Sequence, residues 1–177
     1  NGTGRINENL SGQAFNSSWS NAAGSTLEIE GTLMSTGIFN ASAVGNTVNY
    51  AGLSSQSVKT TSARTYHNLI LSGSGTKTLG TNTIINGDLT ISSTLEPSGF
   101  DLAIAGNWTN TGVYNNGTEE LTFNGTSDQQ INSATRVDVF DLIVQKSGST
   151  LSTDQDIVVS NSFTLNNANL NMGTSRL

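Results

Sequence analysis

The sequence predicts an all-β protein, a right-handed parallel β-solenoid (β-helix) of about 7-8 coils with roughly 20 residues per coil. Three observations lead to this prediction: apolar residues recur in pairs with one residue between them, most pairs return after 19 to 21 residues, and a longer unit occurs twice. Alternate residues of a strand share a face, so such pairs indicate strands. No amphipathic helical pattern interrupts them, and Pro97 is the only proline.

The apolar pairs are expected to form one inward column of the stack. Leu89 and Leu102 are only 13 residues apart, too few to circle a filled core, so either Leu89 belongs to another wall of its coil or a side excursion joins there. Seven pairs are assigned to the structural core. Leu89 and Ile91 form an eighth pair, for which both of these alternatives stay open. The seven are Leu27 and Ile29, Val48 and Tyr50, Leu69 and Leu71, Leu102 and Ile104, Leu121 and Phe123, Leu142 and Val144, and Phe163 and Leu165.

The longer unit is read from two alignments. "GNTVNYAGLSSQSV" from Gly45 matches "GTEELTFNGTSDQQI" with an offset of 73, and "LEIEGTLMSTGIFN" from Leu27 matches "LAIAGNWTNTGVYN" with an offset of 75. We therefore expect residues 24-177 to form a parallel β-helix of about two 73-residue units. Residues 1-23 diverge from the unit and are expected to form a cap or an inter-subunit contact.

A glycine follows five of the pairs by two positions, which suits a corner that needs positive φ or close backbone approach. The competing all-β folds fit less well. A propeller blade needs about 40 or more residues, so this chain would supply too few blades, and a sandwich is not expected to repeat at a fixed lag. The corner glycines are Gly31, Gly52, Gly73, Gly106 and Gly125.

Composition limits the partners. Asn, Ser and Thr supply 70 of the 177 residues, the formal charge is −6, and only seven Lys and Arg are scattered through the chain. That leaves no basic stripe for a phosphate backbone, so no nucleic acid partner is expected. No apolar run approaches the length of a membrane span, so no membrane insertion is expected either. The chain has no cysteine, which excludes disulfides and thiolate metal sites.

An acidic row is the main candidate site. Asp101, Glu120 and Asp141 each precede an apolar pair and are expected on three successive coils. Adjacent like charges need relief by water, a proton or a cation, so the row is a candidate calcium or sugar site. The alternative is a solvated, purely structural edge. Asp154 and Asp156 form a weaker cation candidate of the same kind.

His67 is the only histidine, and Phe140 takes its place in the second unit. With no cysteine and no second histidine, zinc chemistry and Ser-His-Asp catalysis lack their parts. We therefore interpret His67 as a structural or surface residue, and we expect no catalytic residue, no cofactor and no enzymatic activity. Trp108 replaces Leu33 of the first unit, which indicates packing rather than stacking on a sugar.

The segment "LAIAGNWTNTGVYNNGTEELTFNGTSDQQINSATRVDVFDLIV" resembles the repeats of large secreted surface proteins of Bacteroidota. In those repeats a segment like "GNWTNTG" leads into "VTFNGT", then "QTI", then "FNNLTI". The match extends from Gly24 onward. The resemblance implies a β-helical stalk, adhesin or surface fibre exported by the type IX route, and it carries no catalytic residues.

Three functional hypotheses follow. The first is an extracellular structural repeat protein that forms a surface fibre or adhesin stalk, by end-to-end self-association or as part of a longer array, with surface glycans as possible targets. The second is a carbohydrate-binding or carbohydrate-cleaving β-helix that uses Asp101, Glu120 and Asp141. A third hypothesis, ice or mineral binding through outward threonines, is weakened because Glu28 and Ile70 interrupt the threonine rows.

Overall fold

A computed structural model describes residues 2–177 and shows a parallel β-solenoid of about eight turns. Residues 2–177 contain strands and turns but no helix, and hence no helix able to cross a membrane. Residues paired in the strand ladders of adjacent coils are 18 to 23 positions apart, as Thr76 with Thr94 and Trp108 with Ile131 show. The predicted all-β class, the parallel stacking and the number of coils are confirmed.

The first wall is a nine-stranded parallel sheet with one strand from every coil. Short strands suit this arrangement because each crosses only one face before the chain turns a corner. Asn, Ser, Thr and Gly, which favour turns, fill the corners. The strands of the first wall are β1 (Thr3–Ile6), β3 (Thr26–Ile29), β5 (Thr47–Tyr50), β8 (Asn68–Leu71), β11 (Leu89–Ile91), β14 (Trp108–Asn110), β17 (Gln129–Ser133), β19 (Thr150–Thr153) and β21 (Asn169–Asn171).

The second wall is a six-stranded sheet, which an isolated bridge between Ala41 and Tyr66 extends to a further strand pair near the N-terminus. The N-terminal pair consists of β2 (Ser18–Ser20) and β4 (Ile38–Asn40). The six strands are β7 (Thr65–Tyr66), β10 (Thr83–Ile85), β13 (Leu102–Ile104), β16 (Glu120–Phe123), β18 (Val137–Gln145) and β20 (Ile157–Asn166).

The third wall lies between the first and second walls in each coil, so the chain runs from first to third to second wall and then begins the next coil. In the later coils its place is taken by the beginnings of β18 and β20, which pair with each other and shift register between Val139 and Asp141. The strands of the third wall are β6 (Gln56–Ser57), β9 (Thr76–Thr78), β12 (Thr94–Glu96) and β15 (Val113–Tyr114).

The apolar pairs do not form a single column, contrary to the sequence-based expectation. The first four pairs, through Leu89 and Ile91, lie on the first wall, and the four pairs from Leu102 and Ile104 onward lie on the second wall. Leu89 and Leu102 are therefore on different walls of the same coil. The reason is the length of the sequence unit, which makes three complete turns of the solenoid and then continues past two more walls. The second copy of the unit therefore begins on the second wall, whereas the first copy begins on the first wall.

Val144 and its pair partner Leu142 illustrate this correction. Both were expected in the same column as the pairs of the first unit, but they lie on β18 of the second wall. Val144 pairs in register with Phe123 on the coil below and with Leu165 on the coil above, and its side chain is fully buried. The prediction that Val144 is a core residue is therefore confirmed, whereas the wall expected for it was wrong.

The core is a continuous file of buried apolar side chains along the axis. Twelve of the fourteen side chains assigned to it are at most 2% exposed. The exceptions are Phe163 and Leu165, which are 37% and 46% exposed. Both lie on β20, whose only partner within residues 2–177 is β18, so no further coil covers them.

Residues 2–23 form the first coil. β1 pairs with β3 in parallel, with Gly4 opposite Leu27, and β2 pairs with β4. Most side chains of this coil are exposed, because within residues 2–177 its strands pair with a neighbouring coil on one side only. Its expected role as a cap or inter-subunit contact stays a prediction, and Asn1 lies outside the described residues.

A tyrosine pair closes the core near the irregular segment before β7. The Tyr50 hydroxyl accepts the backbone N–H of Lys59 at 2.8 Å, and the Tyr66 hydroxyl donates to the backbone oxygen of Lys59 at 2.5 Å. This leaves the Tyr50 hydroxyl to donate to that of Tyr66 at 2.9 Å. Burial raises the pKa of both tyrosines, because a buried phenolate loses its hydration. The pair therefore holds a loop backbone with neutral groups.

Candidate functional site

The structure brings the predicted acidic row together on the outer side of the second wall. Glu120 pairs in register with Asp141, and Asp101 lies one coil below Glu120. Their side-chain oxygens already have donors. Asp101 accepts the backbone N–H of Glu120 at 3.0 Å and the side-chain amide of Asn82 at 2.8 Å. Glu120 accepts the hydroxyl of Thr122 at 2.9 Å.

Asp141 shows the same behaviour. One carboxylate oxygen accepts the hydroxyl of Ser162 at 2.7 Å, the side-chain amide of Asn161 at 2.7 Å and the backbone N–H of Ser162 at 2.9 Å. These bonds, the Ser162 hydroxyl foremost, lower the pKa of Asp141 because they favour the ionised form. Hydrogen bonds from neighbouring residues of the protein thus stabilise the negative charges of the row.

Asp101 and Asp141 belong to a set of contacts that we call Asx bridges. In each, the Oδ1 atom of an Asn or Asp accepts a backbone N–H from a residue 19 to 23 positions later, one coil on, at 2.6 to 3.2 Å. An Asx bridge satisfies a corner N–H that the ladder leaves free and ties consecutive coils. The nine bridges run from Asn9 to Thr32, Asn68 to Asp88, Asp88 to Asn107, Asn107 to Gln130, Asn82 to Asp101, Asp101 to Glu120, Asp128 to Thr150, Asp141 to Ser162, and Asp156 to Arg176.

The acidic row does not form a metal centre. Among residues 2–177, no group of three or more His, Asp or Glu side chains is placed to hold a metal ion. This includes the proposed calcium ligands Asp101, Glu120 and Asp141, as well as Asp154 and Asp156. The physical reason is that Asp101, Asp141 and Asp156 each direct an oxygen to a backbone N–H of the next coil rather than to a shared centre.

A shallow groove of about 290 Å³ lies beside the row, lined by Arg64, Asp101 and Glu120. Ile84, which is 42% exposed, forms part of its apolar floor. His67 lies outside the lining of the groove: the ring is half-buried and its Nδ1 is 3.2 Å from Oδ1 of Asn68.

Two buried corners, which the sequence analysis did not single out, contain the most highly connected polar groups. In the first, the Gln56 side chain accepts the N–H of Gly52 at 2.9 Å and donates to the carbonyl oxygens of Ile29 and Gly31 at 3.1 and 2.7 Å. Lys77, fully buried, donates from Nζ to the oxygens of Gly52, Ser54 and Ser74 at 2.7, 3.3 and 2.8 Å. We call Gly31, Gly52, Gln56 and Lys77 the first Gln–Lys corner.

The second Gln–Lys corner consists of Gly106, Gly125, Gln129 and Lys146. Gln129 accepts the N–H of Gly125 at 2.8 Å and donates to the oxygens of Ile104, at 3.0 Å, and Gly106. Lys146 donates to the oxygens of Gly125 and Ser127 at 3.0 and 2.9 Å and to Oε1 of Gln129 at 2.6 Å. Burial lowers the pKa of both lysines.

Only part of the Gln–Lys corners was visible in the sequence. Gln56 and Gln129 align at the 73-residue offset. A glutamine at the same position of both units could have indicated a polar side chain with a structural role. Lys77 and Lys146 are 69 residues apart and do not align, so the repeat gave no sign that they reach equivalent carbonyl groups. Neither lysine forms a salt bridge within the described residues, and each is satisfied by oxygen dipoles instead.

Trp108 lies in the core, as its place in the repeat predicted. Its ring stacks on Phe123, with centroids 6.0 Å apart, and meets Tyr114 edge-on at 5.0 Å. Trp19 instead lies on the first coil and is 40% exposed. Trp108 is therefore a packing residue and is not available to a surface ligand.

Comparisons of the chain with protein-family models, with curated proteins and with solved structures found no match. The function is therefore argued from the solenoid and its surfaces.

Proposed function

We propose that this chain is a structural, non-enzymatic repeat segment of an extracellular surface fibre or adhesin stalk. The observation that supports this most is the unbroken first wall, whose nine strands stack in parallel. Eight spacings of about 4.8 Å give a body roughly 40 Å long along the solenoid axis. A stack of this kind holds its two ends at a fixed separation, which is what a stalk requires.

Side-chain contacts between consecutive coils also support the proposal. Consecutive coils are joined by Asx bridges as well as by the backbone ladder, and two Gln–Lys corners each connect three coils. In a solenoid, stability is the sum of contacts between neighbouring coils, so added ties between coils stiffen the whole body. A stiff body of this kind suits a stalk, which must hold its two ends apart.

Within residues 2–177, the first and last coils expose apolar side chains. The outer edge of β20 exposes Phe163 and Leu165, and the first coil at the other end exposes Trp19. Open strand edges of this kind are normally covered. A contact between the two unlike ends does not close on itself and therefore builds a filament. End-to-end contact between copies is the form of assembly that we propose.

Sedimentation velocity and electron microscopy over a range of concentrations test the assembly. We expect the average mass to rise with concentration and short filaments to appear. Leu165→Lys should abolish association, because it places a charge in the end contact. Leu53→Lys is the matched control, since Leu53 is 80% exposed in the turn between β5 and β6 and lies away from the ends. A monomer at every concentration would contradict end-to-end assembly.

The extracellular location rests on the repeat resemblance and on the polar, charge-poor composition. An antibody raised against the purified chain should label intact cells of the source without permeabilisation. Labelling that requires permeabilised cells would place the protein inside and would remove the stalk proposal.

Carbohydrate binding at the groove of Arg64, Asp101 and Glu120 is the second candidate function, favoured by the position of the groove beside the acidic row. The engagement of Asp101 in an Asx bridge weighs against it, because that oxygen is committed to the next coil. Glu120→Gln should abolish glycan binding if the groove is the site. An unchanged glycan-array profile for that variant would exclude this candidate.

A further inference from the structure

We infer that the cleft between β15 and the beginning of β18 binds a neutral carbohydrate. The cleft has a volume of about 280 Å³ and lies on the third wall, away from the acidic row. The inference concerns a ligand site on the body of the solenoid and does not depend on the proposed stalk function.

The cleft exists because the third wall loses its ladder at this point. In the described part of the chain, β15 pairs only with β12, and Val137–Val139 at the beginning of β18 pairs only with β20. The two neighbouring walls continue without interruption across the same two coils, through Trp108 with Ile131 and Leu121 with Leu142. The third wall is therefore splayed locally between consecutive coils.

The dimensions exclude a peptide strand as the ligand. A strand inserted between β15 and β18 would need two strand spacings, about 9.6 Å in all. The neighbouring walls advance by only one spacing here, as the direct pairing of Trp108 with Ile131 requires. The occupant of the cleft must therefore be small.

One side of the cleft is a held aromatic ring. Tyr114 lines the cleft, and its hydroxyl donates to Glu119 at 3.0 Å. Glu119 is only 2% exposed and also accepts the N–H of Gly117 at 2.9 Å, while Trp108 supports the Tyr114 ring from the core. The ring is thus fixed from two directions, and Val113, 54% exposed, stands beside it at the mouth.

The other side of the cleft is a paired charge. Arg136 contacts Asp138 through two bonds, Nε to Oδ1 at 2.9 Å and Nη2 to Oδ2 at 3.1 Å. The pair fixes the guanidinium plane and leaves further N–H donors free. Asn110 and Asn116 add carboxamides to the lining.

This combination favours a ligand with many hydroxyl groups and no net charge. Arg136 and Asp138 compensate each other, so the lining carries no excess charge for an ionic ligand. Sugar hydroxyls both donate and accept, which matches guanidinium donors, carboxylate acceptors and carboxamides that do both. An aromatic ring completes the apolar part of such a site.

The two other large clefts fit a sugar less well. The groove of Arg64, Asp101 and Glu120 has an excess of acid and no aromatic ring. The cleft beside Lys146, of about 550 Å³, is lined by polar residues without an aromatic ring, and its lysine is occupied by the second Gln–Lys corner.

Amide proton–nitrogen correlation spectra of the full chain carrying Leu165→Lys, which should prevent end-to-end association, test the inference when titrated with methyl glycosides of glucose, galactose, mannose and N-acetylglucosamine. We expect saturable shifts with at least one of these probes, confined to residues 110–116 and 135–138. Arg136→Gln should weaken that binding roughly tenfold, since one charge-assisted hydrogen bond is lost. Val113→Arg, at the mouth, should block it, and Arg64→Gln in the other groove should leave it unchanged. The same spectra show that each variant is folded.

Three results would overturn the inference: no saturable shift with any of the four probes, stronger binding of methyl glucuronide than of the glucose probe, or equal weakening by Arg64→Gln and Arg136→Gln. Sedimentation of the same samples reports assembly separately. Loss of sugar binding and loss of end-to-end association are therefore distinguishable outcomes.

Discussion

The two Gln–Lys corners lie on different walls of one solenoid and make almost the same hydrogen bonds. The first lies where the chain leaves the first wall, after β5, and the second where it leaves the second wall, after β16. In both, a glutamine side chain bridges a glycine N–H and two carbonyl oxygens of the coil before, and a lysine covers the same glycine's oxygen. The sequence unit therefore specifies a type of corner and not a wall.

The lysines show where the two corners differ. Lys146 donates directly to Oε1 of Gln129 at 2.6 Å, whereas Lys77 donates only to backbone oxygens. The lysines also come from non-equivalent positions of the repeat. Both corners share a glycine carbonyl oxygen that accepts a lysine of the next coil. Each oxygen also has a second donor there, the N–H of Ser74 at 3.2 Å for Gly52 and the hydroxyl of Ser149 at 3.5 Å for Gly125.

Replacing the corner glutamines should give the largest effect. Gln129→Leu leaves the buried N–H of Gly125, the carbonyl oxygen of Gly106 and one donor of Lys146 without partners, and we expect a loss of about 4 kcal/mol in the free energy of unfolding. Gln56→Leu leaves one group fewer and should lose about 3 kcal/mol. Urea unfolding followed by circular dichroism measures both.

A double-mutant cycle separates the two corners further. The Gln129→Leu and Lys146→Met changes should be coupled, because the two side chains contact each other directly. The Gln56→Leu and Lys77→Met changes should be closer to additive. Equal coupling at both corners would show that the direct contact of Lys146 has no energetic role.

The corner glycines should behave alike despite their different walls. A Cβ at Gly52 would collide with the carbonyl oxygen of Glu30, and one at Gly125 with that of Ala105, both on the coil before. Gly52→Ala and Gly125→Ala should each lower stability by about 2 to 3 kcal/mol, because the coils must separate. Gly80→Ala is the control, since its Cβ would have no neighbour closer than 3.8 Å. A large difference between Gly52→Ala and Gly125→Ala would break the equivalence.

Alkaline pH should destabilise the first unit more than the second through their tyrosines. Burial raises the pKa of Tyr50 and Tyr66 in the first unit but of Tyr114 alone in the second, where Phe123 and Val139 stand at the positions equivalent to Tyr50 and Tyr66. Below the unfolded pKa of about 10 the folded protein keeps its full stability, and above it stability falls because only the unfolded chain ionises. The loss should reach about 1.4 kcal/mol per tyrosine near pH 11. Hydrogen exchange should rise first around β5 to β8, and stepwise tyrosinate absorbance before unfolding would contradict the account.

The Asx bridges should give the smallest effect. Asp101→Ala removes the acceptors for the N–H of Glu120 and for the side-chain amide of Asn82 and should cost about 1 kcal/mol, whereas Asp101→Asn keeps the Oδ1 acceptor, loses only the exposed bond from Asn82 and should cost less than about 0.5 kcal/mol. Thermal unfolding of the two variants gives the comparison. If Asp101→Asn were as damaging as Asp101→Ala, the charge itself would matter, and a cation or ligand at the row would regain support.

The fold followed from the sequence because its signal is repeated many times. Pairs such as Leu27 with Ile29 and Leu142 with Val144 each mark a strand, and their spacing gives the coil length. The assignment of walls did not follow, because a unit of three coils and two walls places equivalent residues on different walls. Because both the first and the second wall contain apolar pairs, the pattern of residue types does not show on which wall a given pair lies.

The surface chemistry was less accessible to sequence reasoning. Asp101, Glu120 and Asp141 were correctly placed on successive coils, but their bonds to N–H groups of the next coil depend on corner geometry. The cleft at Tyr114 and Arg136 arises from a missing ladder pairing between residues more than twenty positions apart. Neither feature leaves a local sequence pattern.

Cysteine crosslinking tests the central claim most directly, since the chain has no cysteine of its own. Thr90 and Thr109 are in-register neighbours on adjacent coils of the first wall, whereas Ala103 holds the position of Thr90 in the next apolar pair but lies on the second wall. The double variant Thr90→Cys with Thr109→Cys should form an intramolecular disulfide on mild oxidation, and the double variant Thr90→Cys with Ala103→Cys should not. A disulfide in the second variant and none in the first would contradict a solenoid whose repeats advance from wall to wall.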